Sequence, residues 1–190
     1  MFEVSINGKK NRSDPNTTPN VYGNVKVFVG DPWHPPVDGK IKNLKIAYDE
    51  KEKETKGMLR DKEKLMDNEN KEIRIEQTKK LDVMPFIEKE FSISFDLFID
   101  KYPTAPYASI LHLTIGRDVT EVGDRIPGVW IKSNKKLSIG SAISGNKNGA
   151  KDDLDGVTDN TWHKIEITQK LKDGKVRMGC LVTKYSSFNF

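Results

Sequence analysis

Apolar side chains alternate with polar ones along several short segments of this 190-residue chain. The clearest case is the run over residues 91–99, where phenylalanine, isoleucine or leucine occupies every second position. A strand places successive side chains on opposite faces, so this run offers one apolar face to a core. Weaker alternation occurs over residues 2–6, 25–29, 41–46, 111–115, 129–131, 137–143, 163–168 and 176–182. The pattern predicts a fold built from many short strands.

Turn-forming pairs separate these segments, among them Asn7-Gly8, Asp38-Gly39 and Asp155-Gly156. Tight polar turns between short strands favour antiparallel pairing, and no segment carries a convincing helical stripe. We therefore predict an all-β antiparallel β-sandwich. The residues expected in its core are Val25, Val27, Phe91, Ile93, Phe95, Leu97, Leu113, Ile165 and Ile167.

The charge balance excludes several classes of protein. The chain has 32 basic and 28 acidic residues, a net charge of +4, which argues against a basic nucleic-acid arm or a disordered polyelectrolyte. No apolar run is long enough to span a membrane. The single cysteine excludes a disulfide framework.

Residues 49–64 interrupt the alternation, because 12 of these 16 residues are charged, six of each sign. A solvated linker is favoured here over a partner-binding helix. We therefore expect one domain over residues 1–190, with closing strands in 1–48, a connector in 49–64, and opening and central strands in 65–190.

Three segments resemble one family. Residues 91–99 (Phe-Ser-Ile-Ser-Phe-Asp-Leu-Phe-Ile) resemble the opening strand of concanavalin A-like jelly rolls, especially laminin G-like domains. Residues 159–167 (Asp-Asn-Thr-Trp-His-Lys-Ile-Glu-Ile) resemble their "W-H-x-I-x-I" hairpin, and residues 38–46 are similar to their closing strand. The resemblance implies a concanavalin A-like jelly roll that serves as a non-catalytic extracellular recognition or adhesion module, with a glycan or an extracellular protein as its partner.

The order of these segments departs from the family, because the closing strand precedes the opening strand. Residues 1–48 either complete the sheet of their own chain, as in a circular permutant, or complete a neighbour's, which would give self-association. We favour closure within the chain, since jelly-roll termini usually lie close together. A fragment of a larger repeat protein stays an alternative.

The loop Asp31-Pro32-Trp33-His34-Pro35-Pro36 is the strongest candidate for ligand binding. Three prolines stiffen it, so Trp33 is displayed as a platform for a sugar or a protein partner, with His34 beside it. The alternative is that Trp33 packs into the end of the sandwich and closes its core. Asn146 and Asn148 supply amides in a second loop, and the two loops form one shallow site if they lie at the same end of the sandwich.

Laminin G-like domains often hold calcium, so the resemblance raises the question of a calcium site. The segment around Asp152, Asp153 and Asp155 is predicted to be a loop that supplies three carboxylates, which suit a hard cation. An acidic turn without an ion is the favoured alternative.

Catalysis is disfavoured, because the carboxylate clusters of concanavalin A-like glycoside hydrolases are missing and the corresponding strand carries only Glu166. The alternatives to a recognition module are a structural repeat of a larger matrix protein and, less favoured, a carbohydrate-active enzyme. Two sequons, at Asn11 and Asn16, indicate an extracellular, secreted protein, although no signal peptide opens the sequence.

Overall fold

The structure is a computed structural model that describes residues 1–49, 63–149, 151–172 and 175–177. The strands in chain order are β1 (Phe2–Ile6), β2 (Lys9–Asp14), β3 (Tyr22–Phe28), β4 (Asp38–Asp49), β5 (Glu63–Asn68), β6 (Ile73–Arg74), β7 (Lys80–Ile87), β8 (Phe91–Lys101), β9 (Tyr107–Thr114), β10 (Gly128–Lys132), β11 (Leu137–Gly140), β12 (Lys151–Leu154), β13 (Trp162–Lys172) and β14 (Lys175–Arg177). No helix occurs among the described residues, and hence none that could cross a membrane.

Two antiparallel sheets form the molecule. The larger has the order β2-β1-β13-β8-β4-β5, with β14 beside β13 and β6 beside β4. The smaller has the order β12-β11-β10-β9-β3-β7. The predicted all-β antiparallel sandwich is confirmed.

The core lies between the sheets and consists of the residues that alternate inward. All nine residues predicted for it are buried, with exposed fractions from 0 to 5%. In β8 the alternation is regular, because each inward apolar residue is followed by a half-buried outward one. Burial of this many apolar side chains is the main force that holds the sheets together.

Residues 1–48 contribute to both sheets of their own chain. β1 pairs with β13, where Phe2 lies opposite Gln169 and Ile6 opposite Ile165. β4 lies between β8 and β5 in the larger sheet, and β3 lies between β9 and β7 in the smaller. The three segments that resemble the laminin G-like family fall on β13, β8 and β4, which are neighbours in one sheet.

Two segments differ from the sequence interpretation. Strand structure extends into both ends of the predicted connector, through Asp49 in β4 and from Glu63 in β5; residues 50–62 lie outside the described part of the chain. Residues 151–154, predicted to be in a loop, form β12. The backbone of β12 pairs with β11, which its polar sequence does not indicate.

The sequon at Asn16 is contradicted as a glycosylation site of the folded protein. Asn16 is 1% exposed, and its amide Nδ2 donates to Oε1 of Gln169 at 2.9 Å. Its Oδ1 accepts from the backbone N–H of Ser144 at 2.9 Å. A glycan on Nδ2 would have to displace these contacts, because the amide is enclosed between two other segments of the chain.

Candidate functional site

The loop between β3 and β4 is organised by one buried carboxylate. Asp31 is fully buried, and its Oδ1 accepts from the backbone N–H of Trp33 at 2.9 Å and of His34 at 2.7 Å. Gly30 precedes it with φ +91°, and a Cβ there would lie 2.1 Å from the carbonyl oxygen of Glu76. Glycine is therefore required at the entry to the loop, and Asp31 fixes the backbone that carries Trp33 and His34.

The same carboxylate joins side chains from three elements, here called the Asp31 cluster: Asp31, His34, His112 and Trp130. Nδ1 of His112 and of His34 each lie 3.1 Å from Asp31 Oδ2, and Trp130 Nε1 donates to that oxygen at 3.2 Å. Burial alone would raise the pKa of Asp31, but the hydrogen bonds from His112 and His34 outweigh it and hold the pKa far below its ordinary value. Asp31 is therefore an ionised carboxylate inside the protein.

His112 lies on the outer face of β9, between the core residues Leu111 and Leu113. Its Nδ1 faces Asp31, and its Nε2 lies 2.7 Å from the carbonyl oxygen of Asp124. Both ring nitrogens thus face oxygen atoms of the protein. The imidazole is fixed in orientation, and it supports the aromatic ring of Trp33.

Trp33 packs against the ring of His112. Its indole centroid lies 5.2 Å from the His112 ring and 6.3 Å from the Phe28 ring. It nevertheless stays 40% exposed, which makes it one of the few exposed large apolar side chains among the described residues. The indole is therefore supported from below and open to solvent on another side.

Trp130 extends over the backbone of β10. A Cβ at Gly128 would lie 2.0 Å from Cη2 of Trp130, so the indole occupies the space that a side chain at residue 128 would take. The centre of the Arg125 guanidinium lies 4.6 Å from the Trp130 ring centroid, in cation–π geometry. Trp130 is buried, but it packs on the outer face of the smaller sheet, whereas Val129 and Ile131 belong to the core.

Arg125 connects Trp130 to two loops. Its Nη2 lies 2.9 Å from Oδ1 of Asp118, and its Nη1 donates to Oδ1 of Asn148. Oδ2 of Asp118 in turn lies 3.9 Å from Nε2 of His34. We call this partly exposed set of residues the Trp33 surface: Trp33, His34, Asp118, Arg125 and Asn148.

Asp124 shapes the loop that supplies Asp118 and Arg125. Its carboxylate accepts backbone N–H bonds from Arg117, Thr120 and Glu121 at 2.7–2.9 Å. Burial would raise the pKa of Asp124, but these N–H bonds outweigh it and lower the pKa. Like Asp31, this carboxylate is used to hold a loop, and its oxygens are engaged by the protein itself.

The hydrogen bond to Asp31 raises the pKa of His34, with burial acting in the opposite direction and the charge of Asp118 adding to the increase. The imidazole side chain is 23% exposed. The Trp33 surface therefore offers an exposed aromatic ring beside groups that accept and donate hydrogen bonds.

The structure brings together three of the four predicted ligand-binding residues. Trp33 and His34 lie in one loop, and Asn148 joins them through Arg125 and Asp118. Asn146 is linked to these residues through Asn148, whose backbone N–H donates to Oδ1 of Asn146 at 3.0 Å.

Among the described residues, no group of three histidine, cysteine or acidic side chains is arranged to hold a metal ion. Asp155 is exposed and pairs with Lys136. The side chains of Asp152 and Asp153 lie outside the described part of the structure.

The sequence analysis did not identify functional roles for Asp31, Asp118, Arg125, His112 or Trp130. Asp31 opens the proline-rich run that identified Trp33, and an aspartate two residues before a displayed residue is a recognisable signal for a side chain that caps backbone N–H groups. No local pattern marks Asp118 or Arg125.

No match to the chain was found among protein-family models, curated proteins or solved structures.

Proposed function

We propose that this protein is a non-catalytic, lectin-like recognition module that binds glycans on the Trp33 surface. The observation that carries the proposal is the Trp33 indole, 40% exposed yet fixed by a loop whose backbone is bound to a buried carboxylate. Holding an aromatic ring at the surface leaves apolar area in water, which is unfavourable for the free protein. A sugar ring that stacks on the indole removes that cost.

The polar residues around Trp33 supply the other half of glycan recognition. Sugar hydroxyls both donate and accept hydrogen bonds, and the Trp33 surface contains both kinds of partner in His34, Asp118 and Asn148. Their positions are set in advance by Asp31 and Arg125, so little side-chain entropy is lost on binding. A preorganised polar set beside an aromatic platform supports a binding role.

The acidic residues of this region support binding over catalysis. Asp31 and Asp124 are buried and bound by donors of the protein itself, and Asp118 is paired with Arg125. A general acid or nucleophile needs a carboxyl group that reaches its substrate. Asp118 is the one carboxylate of this set that is partly exposed, and glycoside hydrolysis ordinarily requires two.

A concanavalin A-like fold and an extracellular location are part of the proposal. The adjacency of β13, β8 and β4, which carry the three laminin G-like segments, supports the former. The partly exposed sequon residue Asn11 supports the latter. A secreted glycan-binding module in a matrix or adhesive protein is the biological setting that fits these features.

The test is a glycan array probed with the intact protein and with Trp33→Ala, with and without calcium. We expect Trp33→Ala to abolish glycan binding, while the melting temperature falls by only about 2–4 °C, because the ring is only partly buried. The matched control is Trp162→Ala, which removes a half-buried indole from the opposite sheet, where it packs on Phe98 at 5.2 Å.

Retention of glycan binding by Trp33→Ala would contradict the proposed site. A large fall in the melting temperature would show instead that Trp33 is a structural plug. Binding that appears only with calcium would support Asp152, Asp153 and Asp155 as calcium ligands.

A further inference from the structure

The gap between His34 and Asp118 has a specific hydrogen-bonding capacity. Nε2 of His34 and Oδ2 of Asp118 are 3.9 Å apart, beyond the distance at which a nitrogen and an oxygen share a hydrogen bond. An oxygen atom about 2.8 Å from each of them lies to one side of the line that joins the two atoms. Both side chains are about one quarter exposed, so the gap is reachable from solvent.

We infer that this gap binds one hydroxyl group of an uncharged sugar, which accepts a hydrogen bond from His34 Nε2–H and donates its own proton to Asp118 Oδ2. The inference rests on the proposed function and names its ligand class. The two bonds are charge-assisted when His34 is an imidazolium and Asp118 is a carboxylate. A hydroxyl group satisfies the two partners at once because it is both donor and acceptor.

An acidic sugar group does not fit the same place. A sulfate or carboxylate has no proton to donate to Asp118 and is repelled by its charge. The nearby guanidinium of Arg125 does not compensate, because it is already engaged by Asp118, by Asn148 and by the face of Trp130. The gap therefore selects neutral glycans over acidic ones.

Binding in this geometry depends on the protonation of His34. Nδ1–H is held by Asp31, so one hydroxyl group can bond both His34 and Asp118 only if Nε2 also carries a proton. The charged groups that face His34 are Asp31 from its own loop and Asp118 and Arg125 from the loop between β9 and β10. The two carboxylates favour the imidazolium, and Arg125 opposes it. Affinity is therefore highest below the pKa of His34 in the folded protein and is lost as the pH rises through it.

The test compares cellohexaose and mannohexaose with a heparin hexasaccharide, on an array and then by calorimetry at pH 6 and pH 9. We expect the neutral oligosaccharides alone to bind, with an affinity about tenfold or more lower at pH 9, as loss of one charge-assisted hydrogen bond predicts. Asp118→Asn should weaken binding about tenfold at pH 6. His34→Gln should bind weakly and equally at both pH values, whereas the control His163→Gln should keep the pH dependence of the original protein.

Three outcomes test the inferred hydroxyl site between His34 and Asp118. Neutral binding that weakens at pH 9 in the unmodified protein supports the inference even if His34→Gln fails to fold. Binding of the heparin hexasaccharide, or an affinity that is unchanged between pH 6 and pH 9, overturns it while a Trp33-dependent recognition function stands. If no glycan binds at all, the proposed function and this inference both fall.

Discussion

Gly128 provides the space in which the Trp130 indole lies. It therefore determines the position of the ring on which the Arg125 guanidinium packs. We expect Gly128→Ala to destabilise the protein by about 1–3 kcal/mol, because the new methyl group would meet the indole at 2.0 Å and force it to move. Urea denaturation measures the change, and tryptophan fluorescence reports the displacement of the ring.

Gly23→Ala is the matched control, since a Cβ at this strand glycine meets nothing closer than 3.6 Å, the carbonyl oxygen of Pro85. It should be neutral or slightly stabilising through the unfolded state. Equal stability of the two variants would show that Trp130 is free to repack.

His163 is a second residue whose hydrogen bonds fix its charge. Its Nδ1 accepts from Nδ2 of Asn7 at 2.7 Å, and the amide cannot turn over, because Asn7 Oδ1 accepts the backbone N–H of Lys164 at 3.0 Å. Nε2 lies 3.0 Å from the carbonyl oxygen of Thr158 and 2.9 Å from its backbone nitrogen. Because Nδ1 accepts from Asn7, a neutral ring carries its proton on Nε2, and burial lowers the pKa of His163.

This arrangement predicts a loss of stability in mild acid. The folded-state pKa of His163 lies below the unfolded value of about 6.5, so the unfolded chain takes up the proton first and stability falls as the pH drops below about 6.5. His163→Gln should lose less stability than the original protein between pH 7 and pH 5.5, by no more than about 1.4 kcal/mol per pH unit. Urea denaturation at both pH values checks this, and parallel losses in the two proteins would contradict it.

At the scale of the element, the segment between β2 and β3 is tied to two others through Asn16. Asn16→Ala should cost about 1–3 kcal/mol, because Oε1 of the buried Gln169 loses its donor and the N–H of Ser144 loses its acceptor. Asn11→Ala removes the asparagine of the other sequon and should change stability by less than about 0.5 kcal/mol, since Asn11 is a partly exposed residue bonded only to its own hairpin. Thermal denaturation of the two variants measures the difference. Similar melting temperatures would mean that Asn16 is not the anchor described here.

The strands that alternation predicted and those it missed differ in their place in the sheets. All the inner strands of both sheets were predicted, whereas β2, β5, β6, β7 and β12 were not. Four of these are the ends of the two sheets, and the short β6 lies beside β4 alone. β2 and β7 show the reason, because most of their residues are exposed or half-buried. An edge strand is defined by backbone pairing with one neighbour and needs little apolar pattern of its own, so the sequence carries a weak signal for it.

The candidate site was predictable to a similar extent. The prolines around Trp33 indicated a displayed ring, and the asparagines at 146 and 148 indicated a polar loop. The connection between them runs through Arg125 and Asp118, which come from a long loop that Asp124 holds in shape. Such a loop is set by tertiary contacts that have no fixed spacing in the sequence. His112 and Trp130 were missed for another reason: they alternate with core residues but lie on the opposite face of the smaller sheet.

At the scale of the whole molecule, the N-terminal strands are unequal in importance. β3 and β4 lie inside the two sheets, whereas β1 and β2 form one end of the larger sheet. Deletion of residues 1–48 should therefore expose apolar faces and unpaired edges in both sheets and cause aggregation. Deletion of residues 1–20 alone should leave a folded protein of lower stability.

Size-exclusion chromatography with light scattering and urea denaturation distinguish these cases. A monomeric, cooperatively folded product of the longer deletion would contradict the assignment of β3 and β4 to the interior. An oligomer of the intact protein that forms with rising concentration would favour exchange of N-terminal strands between molecules.

The pairing of β1 with β13 also has a consequence during synthesis. Phe2 lies opposite Gln169 in this pair, so β1 can pair with β2 early in synthesis but must wait for β13, far along the chain, before its other edge is covered. Contacts of such long separation are slow to form, and the exposed apolar strands of the nascent chain are open to capture by other chains in the meantime. Yield in the cell should therefore depend on chaperones and on the rate of translation more strongly than the stability of the finished protein suggests.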